Sequence, residues 1–272
     1  MWLALVLALP SANPSSECCG PANCLHSAAP SVRTSGLATA AESSNFHVVS
    51  YTTRHDARSI AHCCESWRQH LQIKWLGDLA GEHWSPRCTV VIHARRDTYR
   101  AAIGRGGEQT FGSSMIDSKN GQITTRRIDL LVDSQGTISA LGHELTHVVI
   151  ADVFPEGHPP AWANEGAAVL ADSATKQALH QRDLDNSVRQ RTAFHCAELL
   201  QMASYPAQQR IPTFYGQSAS LIAFLGGIGG SEKLLPFLKD ATTGGYDLAL
   251  RKHYGIQSVA ELQQRWLVSN RL

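Results

Sequence analysis

Two histidines four residues apart, with a glutamate eighteen positions beyond the second, restrict this chain more than any other feature. The segment His143-Glu144-Leu145-Thr146-His147 puts His143 and His147 at i and i+4. On a helix their imidazoles lie one above the other and address one point. Neutral imidazoles and a carboxylate are donors for Zn²⁺, which in a catalytic site takes three protein ligands and keeps one position open. Glu165, in Trp162-Ala163-Asn164-Glu165-Gly166, supplies the third donor if a second helix folds back onto the first. Glu144, next to His143, can then reach a water at the open position as a general base.

The surrounding residues support a helix. Thr137 is placed to cap it, and Ile138, Leu141, Leu145, Val148 and Val149 recur at helical spacing. Phe154-Pro155 ends it. The bland alternative, a buried helix whose histidines only hydrogen-bond, leaves the spacing to Glu165 without a purpose.

With its downstream Trp-x-x-Glu-Gly-x-Ala helix, this segment resembles the gluzincin metallopeptidases, especially the secreted peptidase-MA-like group. The resemblance runs over about residues 46–225 and is strongest from Thr137 to Asp172. It implies one zinc ion held by His143, His147 and Glu165, with Glu144 as base. Asn164 is similar to the thermolysin-type asparagine that supports the second histidine. The departure is Val169, where thermolysin-like enzymes carry an aspartate behind the first histidine; Asp172 and a backbone carbonyl are the candidates for that place.

Related patterns do not fit. A metzincin needs glycine and histidine where this chain has Ile150 and Val153. An aminopeptidase of this type grips the free amine with a glutamate that Gly112-Ser113-Ser114-Met115-Ile116 lacks. Asp152 and His158 are rival third ligands, but neither opens a helix as Glu165 does.

Net charge is +1 in 272 residues, which leaves no basic footprint for nucleic acid. No apolar run has the length of a membrane span. Trp2 to Leu9 has the length of a signal-peptide core, without a basic start or a clear cleavage site. Residues 10–45 read as a flexible linker, so that 1–45 form a signal-like segment and linker before a catalytic domain over 46–272. Export to a secreted, periplasmic or cell-envelope location is the expectation, with the cytoplasm as alternative. Seven cysteines are an odd number; a bridge from Cys88 to Cys63 or Cys64 fits export, and a zinc site at Cys18, Cys19 and Cys24 matches no familiar spacing.

Along the chain, strands are expected at Phe46–Thr52 and Cys88–Ala94, with a helix from about Asp56 to Leu76 between them. Lys119-Asn120-Gly121 joins the strands Thr110–Asp117 and Gln122–Val132. In zincins an edge strand just before the active-site helix pairs with the substrate backbone, and this hairpin stands at the matching place. Helices are expected at Ala161–Asp172, Lys176–Met202 and Ser218–Leu225, then a flexible break at Gly226–Gly230. Three more follow, at about Lys233–Asp240, Tyr246–His253 and Val259–Ser269. Tyr215, in a Tyr-x-Gln start similar to that of peptidase-MA-like proteins, is a candidate oxyanion donor; a packed aromatic is the other reading. His195 is a rival for that role.

The expectation is an α+β, zincin-like fold. A small mixed sheet with helices (about 46–136) would pack on the active-site helix and a helical lobe (about 137–272), with the cleft between. The chemistry is peptide-bond hydrolysis, as an endopeptidase rather than an aminopeptidase, on a peptide or protein substrate. The alternatives are a zincin-shaped binding protein without activity and a zinc hydrolase of a non-peptide amide.

Overall fold

The computed structural model describes residues 31–35, 38–77, 83–104 and 106–270. The signal-like run and the Cys18, Cys19 and Cys24 cluster lie outside these residues.

A six-stranded mixed sheet has the order β1-β2-β3-β4-β6-β5. Its strands are β1 (Ser31–Ser35), β2 (Ala38–Glu42), β3 (Phe46–Ser50), β4 (Cys88–His93), β5 (Gly112–Lys119) and β6 (Gln122–Leu131). The central pairs β3/β4 and β4/β6 are parallel, and the flanking pairs are antiparallel. Helix α1 (Ala57–Leu76) makes the crossover between β3 and β4. Asp56 caps it by accepting from the Arg58 and Ser59 amides, and Gly77 closes it. Its buried stripe, from Ile60 through Cys64 and Leu71 to Trp75, packs with Phe46, Val48, Cys88, Val90 and Ile92 of the sheet. The other face of β4 meets α2 (Arg96–Ile103), where His93 stacks edge-on against Tyr99.

Residues 31–35 and 38–42 correct the expected linker. Ala38-Thr39-Ala40-Ala41-Glu42 has no apolar alternation, but strand pairing is a backbone interaction. Thr39 to Glu42 align with Ser50 to His47 of β3, and Ala41 is buried. The domain boundary expected at residue 46 therefore falls inside the sheet.

The hairpin forms as read, with Asn120 and Gly121 both at positive φ (52° and 73°). It makes β5 an edge strand of the sheet among the described residues. Then comes α3 (Leu141–Ala151), which carries the histidine pair. Thr137 does not cap it. Its amide and hydroxyl bond Asp133 in the preceding turn, and the helix starts four residues later.

Helices α4 (Ala161–Val169), α5 (Ala174–Arg189), α6 (Cys196–Leu200), α7 (Ile211–Gly229), α8 (Leu234–Gly244), α9 (Tyr246–Tyr254) and α10 (Val259–Ser269) build the second lobe. The long helix expected over 176–202 is two helices. The chain turns at Arg191 (φ 58°), and the amide of buried Gln217 bonds both the N–H and the C=O of Phe194, holding the link in place of a helical turn. The break expected at Gly226–Gly230 is absent up to Gly229: buried Phe214, Leu221, Ile222 and Leu225 carry α7 through its glycines. Cys88 and Cys196 are buried free thiols, so the expected bridge from Cys88 is not made. Burial pushes both thiols up to about 12. Among the described residues no single helix is long and apolar enough to cross a membrane.

Candidate metal centre

Helix α3 puts His143 and His147 on the face that looks into the cleft, with ring centroids 5.0 Å apart. Helix α4 packs against it and brings Glu165 under both rings. Glu165 Oε2 lies 3.6 Å from His143 Nε2 and 3.9 Å from His147 Nε2. One donor atom from each residue falls within 4.8 Å of the other two. Close helix packing sets this distance. A Cβ on Gly166 would sit 2.6 Å from the Ser218 carbonyl oxygen, so α4 can press on α7 only with glycine beside the glutamate.

Two of the three donors are oriented from behind. The turn after α4 brings Asp172 back under α3, where its carboxylate accepts from His143 Nδ1 (3.2 Å) and from Lys176 Nζ (2.9 Å). Asp172 thus takes the place left open by Val169, three residues later in the chain. Since a carboxylate only accepts, His143 presents Nε2 to the cleft. Burial alone would lower the His143 pKa, but its bonds to Asp172 and Glu165 raise it to about 10. Burial works against the Glu165 charge as well, and His143 and His147 overcome it, taking the carboxyl down to about 2. The expected support of His147 by Asn164 is not made: His147 Nδ1 is buried with no hydrogen-bond partner, and Asn164 lines the cleft.

These residues fit a divalent ion. Three donors of the type that zinc takes converge, two imidazoles and one carboxylate, and two are held by hydrogen bonds outside the donor set. A positive centre between them would satisfy the charge that Glu165 holds in a buried place.

The cleft is a cavity of about 600 Å³ with β5 as one wall and the helical lobe as the other. It contains Glu144, which is 7% exposed. Gly112 at the start of β5 faces it so closely that a Cβ would lie 2.6 Å from Glu144 Oε1 and 2.7 Å from Ala140 Cβ. A Gly112→Ala variant should therefore displace the carboxylate or the strand. We expect kcat/KM to fall by roughly a hundredfold, the effect of about 1 Å of misplacement, with metal content unchanged; equal kcat/KM would show that the contact relaxes freely.

Tyr215 lines the opposite wall, in the first turns of α7, stacked on His180 at 5.6 Å. Burial and the carboxylates of Glu165 and Glu144 raise its pKa, which keeps the phenol protonated. Tyr205 stands beside it and donates to Glu165 Oε1. Sequence reasoning missed Tyr205, which lies in an irregular Ser-Tyr-Pro stretch with no period or motif. It also gave no role to His180 and Lys176 of α5, which line the cleft. The rivals lie elsewhere. Asp152 is bound to Arg126 and Trp84, His158 is exposed at the rim of the cleft, and His195 is exposed outside its lining.

No curated protein matches the chain. The family profile of the Peptidase MA superfamily does, over residues 118–270, from the end of β5 through both ligand-bearing helices to α10. With a zincin-like α+β fold and that match over more than half of its length, the chain belongs to the Peptidase MA superfamily of metallopeptidases.

Proposed function

We propose that the protein is a zinc-dependent endopeptidase of the gluzincin type. The reading rests on the convergence of His143, His147 and Glu165 at the floor of a cleft walled by a free strand edge. A zinc ion held there would act as a Lewis acid, polarising the scissile carbonyl and making water acidic enough to lose a proton near neutral pH. Glu144 takes the proton from the attacking water and delivers it to the leaving amine. Tyr215, protonated and on the far wall, donates a hydrogen bond to the oxyanion. The free edge of β5 pairs with the backbone of an extended peptide and brings its carbonyl over the site.

Endopeptidase rather than exopeptidase action follows from what lines the cleft. Its carboxylates are Glu144 and Glu165, both occupied by the proposed chemistry, so none is left to hold an N-terminal ammonium. Its lysine, Lys176, is paired with Asp172 and not free for a C-terminal carboxylate. The N-terminal apolar run Trp2–Leu9 supports action outside the cytoplasm, in the cell envelope or beyond.

Wild-type protein should contain one zinc per chain and cut casein in a chelator-sensitive way. Glu165→Ala should lower zinc affinity by more than about a hundredfold, since even residues behind the ligands cost 10–100-fold. Equal zinc content in the two proteins would overturn the ligand set. Zinc-loaded wild type that leaves casein and a mixed peptide library uncut would overturn the peptidase reading.

A further inference from the structure

Glu165 has two oxygens, and they have different neighbours. Oε2 faces the two imidazoles, at 3.6 and 3.9 Å. Oε1 is turned the other way and accepts the hydroxyl of Tyr205. The direction of that bond is fixed, because a carboxylate can only accept. Tyr205 is not part of either ligand helix. It sits in the link between α6 and α7, just ahead of Pro206, with its ring edge-on to Phe214 at 5.7 Å. The residue is 52% exposed, yet its hydroxyl reaches a carboxylate on a residue that is 5% exposed. An exposed aromatic on an irregular segment has no packing reason to direct its one polar atom at a buried ligand.

We propose that Tyr205 is a positioning residue for the metal centre, whose hydroxyl engages Glu165 Oε1 so that the carboxylate ligates through Oε2 alone. This rests on the zinc reading above. Its consequence is chemical. A carboxylate can hold a divalent ion with one oxygen or with two, and the second oxygen would take up coordination space that a catalytic site leaves for water and substrate. By holding Oε1, Tyr205 keeps that space open. It also fixes the plane of the carboxylate in the way that Asp172 fixes the ring of His143. The helical lobe then controls the third ligand through a loop side chain and not only through the packing of α4.

Tyr205→Phe removes the hydroxyl and keeps the ring on Phe214, so thermal unfolding of the metal-free protein should be unchanged. Zinc affinity, read by competition with a chromophoric chelator, should fall about tenfold, as for partners of other metal ligands. The cobalt(II)-loaded variant should absorb more weakly in the visible than wild type, because a second carboxylate oxygen raises the coordination number. A Tyr205→Phe protein with wild-type affinity and spectrum would overturn the proposal and leave the ligand set standing. Wild type that takes up neither zinc nor cobalt would overturn the ligand set, and this proposal with it.

Discussion

Replacing Glu144 by Gln should leave zinc at one ion per chain and lower kcat/KM by about 10³-fold. The two side chains have the same shape, so the variant keeps its fit against Gly112 and Ala140 on the strand side of α3. What it loses is the ability to take a proton. General bases contribute about 10²–10⁴-fold, and at 1.36 kcal/mol per decade a loss of 10³ is about 4 kcal/mol of transition-state stabilisation. The position makes the residue hard to replace. Glu144 is fixed by its place beside His143 on a helix whose next turn supplies His147. The other histidines on the walls outside the ligand pair, His158 at the rim and His180 behind Tyr215, stand on different elements. Metal analysis paired with steady-state cleavage separates the outcomes. A variant with full turnover would move the base to one of those histidines. A variant that loses its zinc would mean that Glu144 helps to hold the site rather than to run it.

Asp152→Ala should do the reverse, costing about 3 kcal/mol of stability while the zinc stays bound. Asp152 ends α3, and its two oxygens tie that helix to the sheet lobe. One accepts Trp84 Nε1 and the other Arg126 NH2, each at 2.6 Å. Arg126 is 7% exposed, and Arg68 and Arg126 both lie over the Trp84 ring, at 4.7 and 5.1 Å from its centre. Removing the aspartate leaves a guanidinium without its counter-charge in a place that water scarcely reaches, and breaking such pairs costs about 3–5 kcal/mol when both members are buried. The Asp152 side chain is 25% exposed, which puts the expectation at the low end. For a chain of this size roughly 2–4 °C of melting temperature goes with each kcal/mol, so a fall of about 6–12 °C is expected. An unchanged melting temperature would show the network to be incidental. Loss of zinc on this substitution, with Glu165→Ala still loaded, would make Asp152 the third ligand after all.

What could be read from the sequence was what the chain encodes over short distances. The histidine pair is a matter of helical pitch, and the Asn120–Gly121 turn is made by residues within a few positions of one another. Strands β3 and β4 have the β-branched residues that fit a buried sheet. The pairing of β2 with β3 was hidden because alanine and threonine in Ala38–Glu42 give no pattern, and the register comes from a partner strand. The break at Arg191 depends on Gln217, 26 residues later in the chain, and nothing near Arg191 announces it. Asp172 could be named as a candidate only because Val169 left a place to fill. Tyr205 could not be named at all, since its one informative contact is 40 residues away in sequence.

The free rim of the sheet is usable over only part of its length. Between Asp117 and Ser118 the alignment with β6 slips; Asp117 stands at that point, and beyond it the strand carries Lys119 and turns at Asn120. Such irregularities and charges stop a strand from recruiting another copy of itself. They leave Gly112 to Ile116 as the stretch able to accept a guest, which spans roughly five residues or about 17 Å at 3.4 Å each. On the peptidase reading proposed above, a polypeptide taken up there would be unfolded locally over that span, and intact compact proteins should resist cleavage until a loop or terminus of that length comes loose.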